Sequence, residues 1–340
     1  MAPPVSCVRS DRLIASSWAG AGLKVSEICM GTMTFGSQAD EEAAHAILDR
    51  ALDAGVNFID TADVYPVPPT VETAGRTEEI VGRWLRGKRS RVVVATKCRG
   101  RVGPGLNDEG LSRAHILDAV EASLRRLQTD YIDLYQVHWP DADTPLEETL
   151  QALDDLVRWG KVRYLGCSNF EAWRLYKSLW VSDRLHLTRF DCVQPRYNLL
   201  HREIERDLLL VCAEEGIGVI AYNPLAGGFL TGKYRRDEPP PEGTRFALAG
   251  GSGSLYRNRY WHDKLFDAVD RVKEVANSCA ATPAQVSVAW LLQQPTVTSA
   301  IVGATRREQV EETLKGTELT LDDAAMEALS AIAPPGVFGE

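Results

Sequence analysis

Four ionisable side chains stand at the C-terminal ends of three apolar runs. Asp60 and Tyr65 lie in FIDTADVY, Lys97 closes VVVATK at 92–97, and His138 closes DLYQVH at 133–138. Taken singly, each has an ordinary explanation. An aspartate after a strand caps a turn, a lysine there is solvated, and a histidine before Trp139 and Pro140 is structural. Gathered on one rim, they form a proton-transfer set. A tyrosine has a reference pKa of about 10 and is a weak acid at neutral pH. An ammonium beside it favours tyrosinate and lowers that pKa, and a carboxylate keeps the ammonium charged. A ring N–H from His138 would orient an oxygen that gathers charge. Such a set delivers a proton to an oxygen. It offers no nucleophile and no metal ligand cluster, so the electron pair has to come from a bound cofactor.

The elements that must hold these residues alternate along the chain. Strand-like runs are ICMG at 28–31, VNFID at 56–60, VVVATK, DLYQVH, VRYLGCSN at 162–169, CVQP at 192–195, GVIAY at 218–222 and TSAIVG at 298–303. VVVATK has almost no polar residues, as expected of a parallel strand covered on both faces. Helical periodicity fills the intervals at 40–55, 77–85, 112–127, 145–158, 171–182, 204–215, 263–278, 283–293, 307–315 and 322–332, with Ser112 as a cap and Pro145 at a helix start. Eight strands, each followed by a helix, predict a closed α/β barrel or a large doubly wound sheet. No Gly-x-Gly-x-x-Gly follows the first strand, which disfavours the second. In a barrel, strand C-termini carry the site. Residues before 28 read as an added hairpin turning at AGAG, 19–22. Residues 235–262 hold Pro239, Pro240, Pro241, Gly250, Gly251 and Gly253 and read as a long loop without a packed element, mobile until it covers a ligand.

Composition narrows the function classes. The 340 residues suit one barrel domain spanning 1–340, and 44% are hydrophobic. A net charge of -9 argues against a nucleic-acid surface. The seven cysteines are scattered without a CxxC pair, so neither a disulfide framework nor a zinc site is expected, and a reducing cytoplasm is. No run approaches the roughly 20 apolar residues of a membrane span, and no signal-peptide core is visible. GGFLTGKY at 227–234 nearly fits an ATP-type phosphate loop, but Tyr234 replaces the hydroxyl that magnesium needs. It reads better as a glycine-rich contact for a dinucleotide.

Taken together these segments resemble the aldo-keto reductases. The resemblance runs from about Leu23 to Ile332. It rests on KVSEICMGTMTFG at 24–36, FIDTADVY, Thr96–Lys97, LYQVHWP at 134–140, GCSNF at 166–170, VQPRYN at 193–198, AYNPLAGGFLTGKY at 221–234 and IVGATRREQVEE at 301–312. YPVPP at 65–69 with TEE at 77–79 is similar to the Tas-like bacterial branch, related to potassium-channel β subunits.

The resemblance implies a single (β/α)₈ TIM barrel with an N-terminal β-hairpin and extra C-terminal helices. It implies Asp60, Tyr65, Lys97 and His138 as catalytic tetrad, and reduction of an aldehyde or ketone by NADP(H). Gly31, Thr32, Met33 and Asp60 would flank the cofactor. Ser168, Asn169 and Gln194 would hold its carboxamide, and Tyr222 would stack on its ring. Asn223, Pro224, Leu225, Gly227, Leu230, Thr231 and Lys233 would wrap its pyrophosphate. Gly303, Thr305, Arg306, Gln309 and Glu312 would hold its adenosine end. Arg306 and Arg307 favour a 2′-phosphate, because guanidinium matches phosphate geometry. Thr313 stands where the family pattern has asparagine. Phe35, Tyr65, Trp139 and Trp261 are candidate walls for a small carbonyl substrate. The protein is expected to be cytoplasmic, a monomer or homo-oligomer, with neither nucleic acid nor membrane as partner. Two alternatives remain: an NADPH-holding regulatory subunit with little turnover, and a Lys97 Schiff-base aldolase.

Overall fold

The apolar runs pair edge to edge, in parallel, until the sheet closes on itself. The computed structural model describes residues 7–9, 15–17, 21–248 and 251–333. In chain order the first elements are β1 (Cys7–Arg9), β2 (Ala15–Ser17), β3 (Lys24–Ser26), β4 (Ile28–Gly31), α1 (Glu41–Asp53), β5 (Phe58–Asp60), α2 (Arg76–Leu85), β6 (Val93–Cys98) and α3 (Arg113–Leu127). There follow β7 (Ile132–Val137), α4 (Leu146–Arg158), β8 (Val162–Ser168), α5 (Ala172–Leu185), β9 (Cys192–Gln194), α6 (Leu208–Glu215) and β10 (Gly218–Tyr222). The last are α7 (Gly251–Tyr260), α8 (Asp263–Ser278), α9 (Pro283–Leu292), β11 (Val297–Gly303), α10 (Arg307–Leu314), β12 (Leu319–Leu321) and α11 (Asp323–Ser330). Strands β4 to β11 form the closed barrel, with β11 returning to pair with β4. The fold is a (β/α)₈ barrel of the expected kind.

Strand periodicity of two decides what fills the barrel. Cys29, Phe58, Val93, Ala95, Leu134, Cys192, Ile220 and Ile301 form one buried cluster inside it. Two residues further along β5, β6, β7 and β9 the same inward positions are Asp60, Lys97, Gln136 and Gln194. The interior is therefore apolar below and polar at the C-terminal rim. Gly166 of β8 makes this crowding feasible: a Cβ there would stand 2.6 Å from Cys192 Sγ and 3.1 Å from Gln136 Cγ. The outer strand faces meet the helices in a second, larger core.

Helix starts follow their caps. Asp40 accepts from the Ala43 N–H, Ser112 from His115, and Asp322 from Ala325. Thr282 and Gln285 form a reciprocal capping box on α9. The expected N-terminal hairpin is present as β2 and β3, paired antiparallel; residues 19 and 20 of its turn lie outside the described residues.

Four expectations need correction. The helix expected over 204–215 begins only at Leu208, after a short 3₁₀ turn at Glu203–Glu205. A strand, β12, lies between the last two helices and pairs with β1; this contact joins the two ends of the described chain, and no local pattern announces it. Cys7 and Cys279 are disulfide-bonded although 272 residues separate them. The other five cysteines are free and buried.

Finally, 235–262 is not a featureless loop. Arg245–Ala247 form a 3₁₀ turn, and α7 follows in spite of two glycines and two serines at its start; residues 249 and 250 lie outside the description. Phe246, Tyr256 and Tyr260 are buried and pack with Phe229, Tyr234, Trp261 and Phe266. Aromatic burial here outweighs poor helix propensity.

Close helix packing generates a stability prediction. A Cβ on Gly82 of α2 would stand 2.1 Å from the Arg126 carbonyl oxygen of α3. Backbone cannot yield as a side chain does. Gly82→Ala is expected to destabilise by about 3 kcal/mol, a fall in Tm of roughly 5 °C. An unchanged melting curve would show that α2 and α3 separate without cost.

Candidate active site

At the barrel's C-terminal rim one charge pair organises everything around it. Lys97 is fully buried, and Nζ donates to Asp60 Oδ2 at 2.5 Å and to the Thr61 carbonyl at 2.8 Å. The second carboxylate oxygen, Oδ1, accepts from Gln136 Nε2 at 3.1 Å and from Gln194 Nε2 at 2.8 Å. Gln194 Nε2 also donates to Gln136 Oε1 at 3.1 Å. Four strands thus contribute to one closed network. Burial pulls the Lys97 pKa down, but Asp60 and Tyr65 more than reverse it and hold the ammonium charged.

Tyr65 and His138 flank this network. Lys97 Nζ lies 5.2 Å from the Tyr65 ring centroid. The Tyr65 and His138 rings meet edge to face at 5.8 Å. All four residues expected to converge do so. The sign of one effect differs. Burial raises the Tyr65 pKa more than Lys97 lowers it, so the hydroxyl is held above its ordinary value. Burial, with the Lys97 charge, pushes the His138 pKa well below normal, so the imidazole is neutral. Trp139 stacks on that imidazole at 3.8 Å and remains 41% exposed.

Around the rim the other expected residues fall into groups. Gly31 and Gly303 sit side by side across β4 and β11. Thr32 Oγ1 is buried and donates to the Asp60 carbonyl at 2.9 Å. Ser168 Oγ donates to the Gln194 carbonyl at 2.7 Å, and Asn169 Nδ2 to the His138 carbonyl at 3.0 Å. Tyr222 donates its hydroxyl to Asn169 Oδ1 at 2.9 Å. Asn223 Oδ1 accepts from the Gly227 N–H at 2.6 Å, and Thr231 Oγ1 donates to the Gly228 carbonyl at 2.7 Å. Asn223, Ala226, Gly227 and Gly228 all have positive φ, so this segment winds tightly after β10. Pro224 is buried and Leu225 half-buried within it. Gln194 faces Asp60 rather than standing free.

Beside that segment two arginines act on one lysine. The Lys233 pKa is lowered by burial and by the charges of Arg306 and Arg245. Like charges gathered from three separate stretches of chain are costly without an anion. Arg245 also reaches Met33, with Nη1 3.1 Å from Sδ. Arg307 points elsewhere, into an ion pair with Glu311 at 3.4 Å. At the start of α10, Gln309 Oε1 accepts from the Thr305 and Arg306 N–H groups at 2.7 and 3.3 Å. Glu312 Oε1 accepts from Thr282 Oγ1 and Gln285 Nε2, which ties it to α9. Thr313 turns its hydroxyl back to the Gln309 carbonyl at 2.8 Å.

Two side chains have no surface to offer as a wall or contact. Phe35 and Leu230 have no exposed surface and belong to the core. Trp261 is held in the aromatic cluster against Phe229, Tyr234 and Phe266. Two others were missed. Gln136 lies in LYQVHWP, and its inward position follows from period two once Leu134 is known to face the barrel interior. Tyr256 lies close enough to Tyr65 and Tyr222 to push both pKa values upward. Its ring also covers Gly227, where a Cβ would stand 2.5 Å from Tyr256 Cδ1. It was hidden because α7 was hidden.

The central pair is testable by itself. Asp60→Asn is expected to destabilise the fold by about 3–5 kcal/mol, because it strands a buried ammonium. Adding Lys97→Met should recover most of that loss in urea unfolding. A double variant no more stable than Asp60→Asn would mean the two charges are not coupled.

With this geometry in view, residues 27–334 match the profile of the Aldo/keto reductase family. The chain is 37% identical over 340 residues to Protein tas of Escherichia coli (strain K12), covering 92% of this chain and 95% of that one. It is 39% identical over 304 residues to a probable voltage-gated potassium channel subunit beta of Arabidopsis thaliana, covering 88% and 89%. It is 35% identical over 327 residues to versiconal hemiacetal acetate reductase of Aspergillus parasiticus, covering 88% and 91%.

Proposed function

The chain belongs to the aldo/keto reductase family, and we propose that it reduces an aldehyde or ketone to an alcohol with NADPH, Tyr65 giving the proton. The observation that carries this reading is the buried Lys97–Asp60 pair set beside a protonated Tyr65 and a neutral His138.

The cofactor fits the residues present. Arg245 and Arg306 both act electrostatically on Lys233, and together the three would supply a cationic cradle of the kind phosphate groups need. The tight turn at 223–228 offers backbone close to it, and at Gly303 the nearest atom to a Cβ would be the Gly31 carbonyl oxygen at 3.9 Å, which leaves room at the rim. Asn169 and Tyr222 would meet the nicotinamide. When bound, NADPH supplies hydride to the carbonyl carbon. Tyr65 holds its proton through neutral pH and donates it to the carbonyl oxygen. Lys97 favours the tyrosinate left behind, and Asp60 with Gln136 and Gln194 keeps Lys97 in place. His138, neutral, can point a ring N–H at the same oxygen. Trp139 keeps its ring from turning. The channel-subunit relative supports a second reading, an NADPH-holding regulatory subunit; turnover of simple aldehydes separates the two.

Tyr65→Phe is expected to lower kcat by at least about 10²-fold while NADPH binding stays within a few fold. Wild-type turnover in that variant would remove Tyr65 from the mechanism. Because His138 is neutral and the Tyr65 hydroxyl is held above its ordinary pKa, kcat/KM for reduction should be level from about pH 6 to 9. Activity should fall only as pH rises towards Tyr65 ionisation. An acid limb near the ordinary histidine pKa would mean that His138 titrates.

Cofactor titration followed by intrinsic fluorescence should favour NADPH over NADH by at least about tenfold, roughly 1.4 kcal/mol. Arg306→Ala should lose that preference; equal affinities in the wild type would refute the phosphate assignment. Since Arg245 belongs to the same cradle and α7 covers Gly227, saturating NADPH should also shield the Arg245–Phe246 bond from trypsin. Unchanged cleavage would leave α7 without a covering role.

A further inference from the structure

The outer ring of the barrel carries an aromatic stripe that the active site does not use. On α5, Trp173, Tyr176 and Trp180 are 56%, 54% and 53% exposed. Their i, i+3, i+7 spacing sets them on one face, while Ala172, Leu175, Leu179, Val181 and Ser182 bury the other. Aromatic side chains bury about 150–250 Å² each, so the three rings leave on the order of 300 Å² of apolar surface in water. Single exposed apolar residues are ordinary, but a contiguous patch marks an interaction surface.

The rings are also held in place. Trp173 Nε1 donates to Glu171 Oε2 at 2.6 Å, and the Arg174 guanidinium lies 4.8 Å from the Trp173 ring. Arg184 lies 4.8 Å from the Trp180 ring and pairs with Glu147 of α4 at 3.2 Å. Pre-ordered aromatic rings lose little side-chain entropy on association.

We propose that α5 is the centre of a two-fold homodimer interface. The charge pattern commits the stripe to a second copy of the chain. A carboxylate, Glu171, stands at its N-terminal end and a guanidinium, Arg184, at its C-terminal end. An isologous interface requires a surface complementary to itself under a two-fold rotation. Two antiparallel copies of α5 related beside Tyr176 and Lys177 satisfy this. Trp173 of each then faces Trp180 of the other, Tyr176 faces Lys177, and each Glu171 comes towards the partner's Arg184 end. A stable interface covers about 800 Å² per partner, so the rings form its apolar centre and the charged ends its rim. The mixed signs, with a net charge of -9 over the chain, disfavour an acidic membrane or nucleic acid as occupant.

Sedimentation equilibrium over a concentration series tests this. The full chain should behave as a monomer–dimer system. Trp173→Ser and Trp180→Ser should each weaken association at least about tenfold, with melting temperature unchanged because both rings are exposed. Arg184→Glu should also weaken it, and the Glu171→Arg/Arg184→Glu double variant should restore it. A wild-type chain that stays monomeric throughout would overturn the proposal, as would a dimer indifferent to both tryptophan substitutions. Flotation with vesicles of acidic phospholipid, lost in Trp180→Ser, would assign the stripe to a membrane surface and overturn it equally.

Discussion

A lysine ammonium with no access to water needs a carboxylate and leaves that carboxylate little freedom. Lys97 and Asp60 impose this constraint on the whole rim. Breaking such a pair from one side costs several kcal/mol, so the strands that carry it cannot slip past one another. The remaining oxygen of Asp60 takes two amide donors, from β7 and β9, and so extends the constraint across the barrel. Tyr65 is joined to this network by a side-chain hydrogen bond with Lys97, and the His138 carbonyl is held by Asn169. The charge is therefore structural and chemical at once: it locks four strands and supplies the field in which Tyr65 and His138 titrate.

The barrel makes such a charge tolerable. Period two places apolar residues in the lower interior and polar ones at the rim, so the ionic layer sits at one end instead of in the middle of the core. Gly166 leaves space for Gln136 and Cys192 to approach. Had the polar residues fallen one position earlier on any strand, they would have faced the helices, where no partners wait.

Much of this was readable along the chain. The barrel strands are short apolar runs with local signatures, and Asp60, Lys97 and His138 stand at or just beyond their ends. What could not be read depends on distant partners. The pairing of β1 with β12 and the Cys7–Cys279 bond join residues far apart in sequence, and neither has a local mark. Helix α7 has a glycine and serine start that predicts coil; only burial of Phe246, Tyr256 and Tyr260 makes it a helix. Phe35 shows the reverse error. An aromatic residue near the motif suggested a pocket wall, but large aromatics serve the core as readily, and this one is fully buried.

The same dependence explains how the cationic cradle and the cover over it belong together. Lys233, Arg245 and Arg306 come from three segments that are remote in sequence, and their mutual repulsion disfavours gathering them. Aromatic packing holds the first two there. Phe246 and Tyr256 lock the segment carrying Arg245 against Phe229 and Tyr234, which flank Lys233. The Asn198 and Asn223 amides both donate to the Tyr260 hydroxyl and so tie the end of α7 to the turn after β10. An anion placed among the three cations would relieve the repulsion without moving the aromatic cluster. Binding energy would then go into charge neutralisation and into tightening α7 over Gly227, where Tyr256 already stands near Tyr65. An anion bound at one end of the rim would in this way help to close the space around Tyr65 at the other.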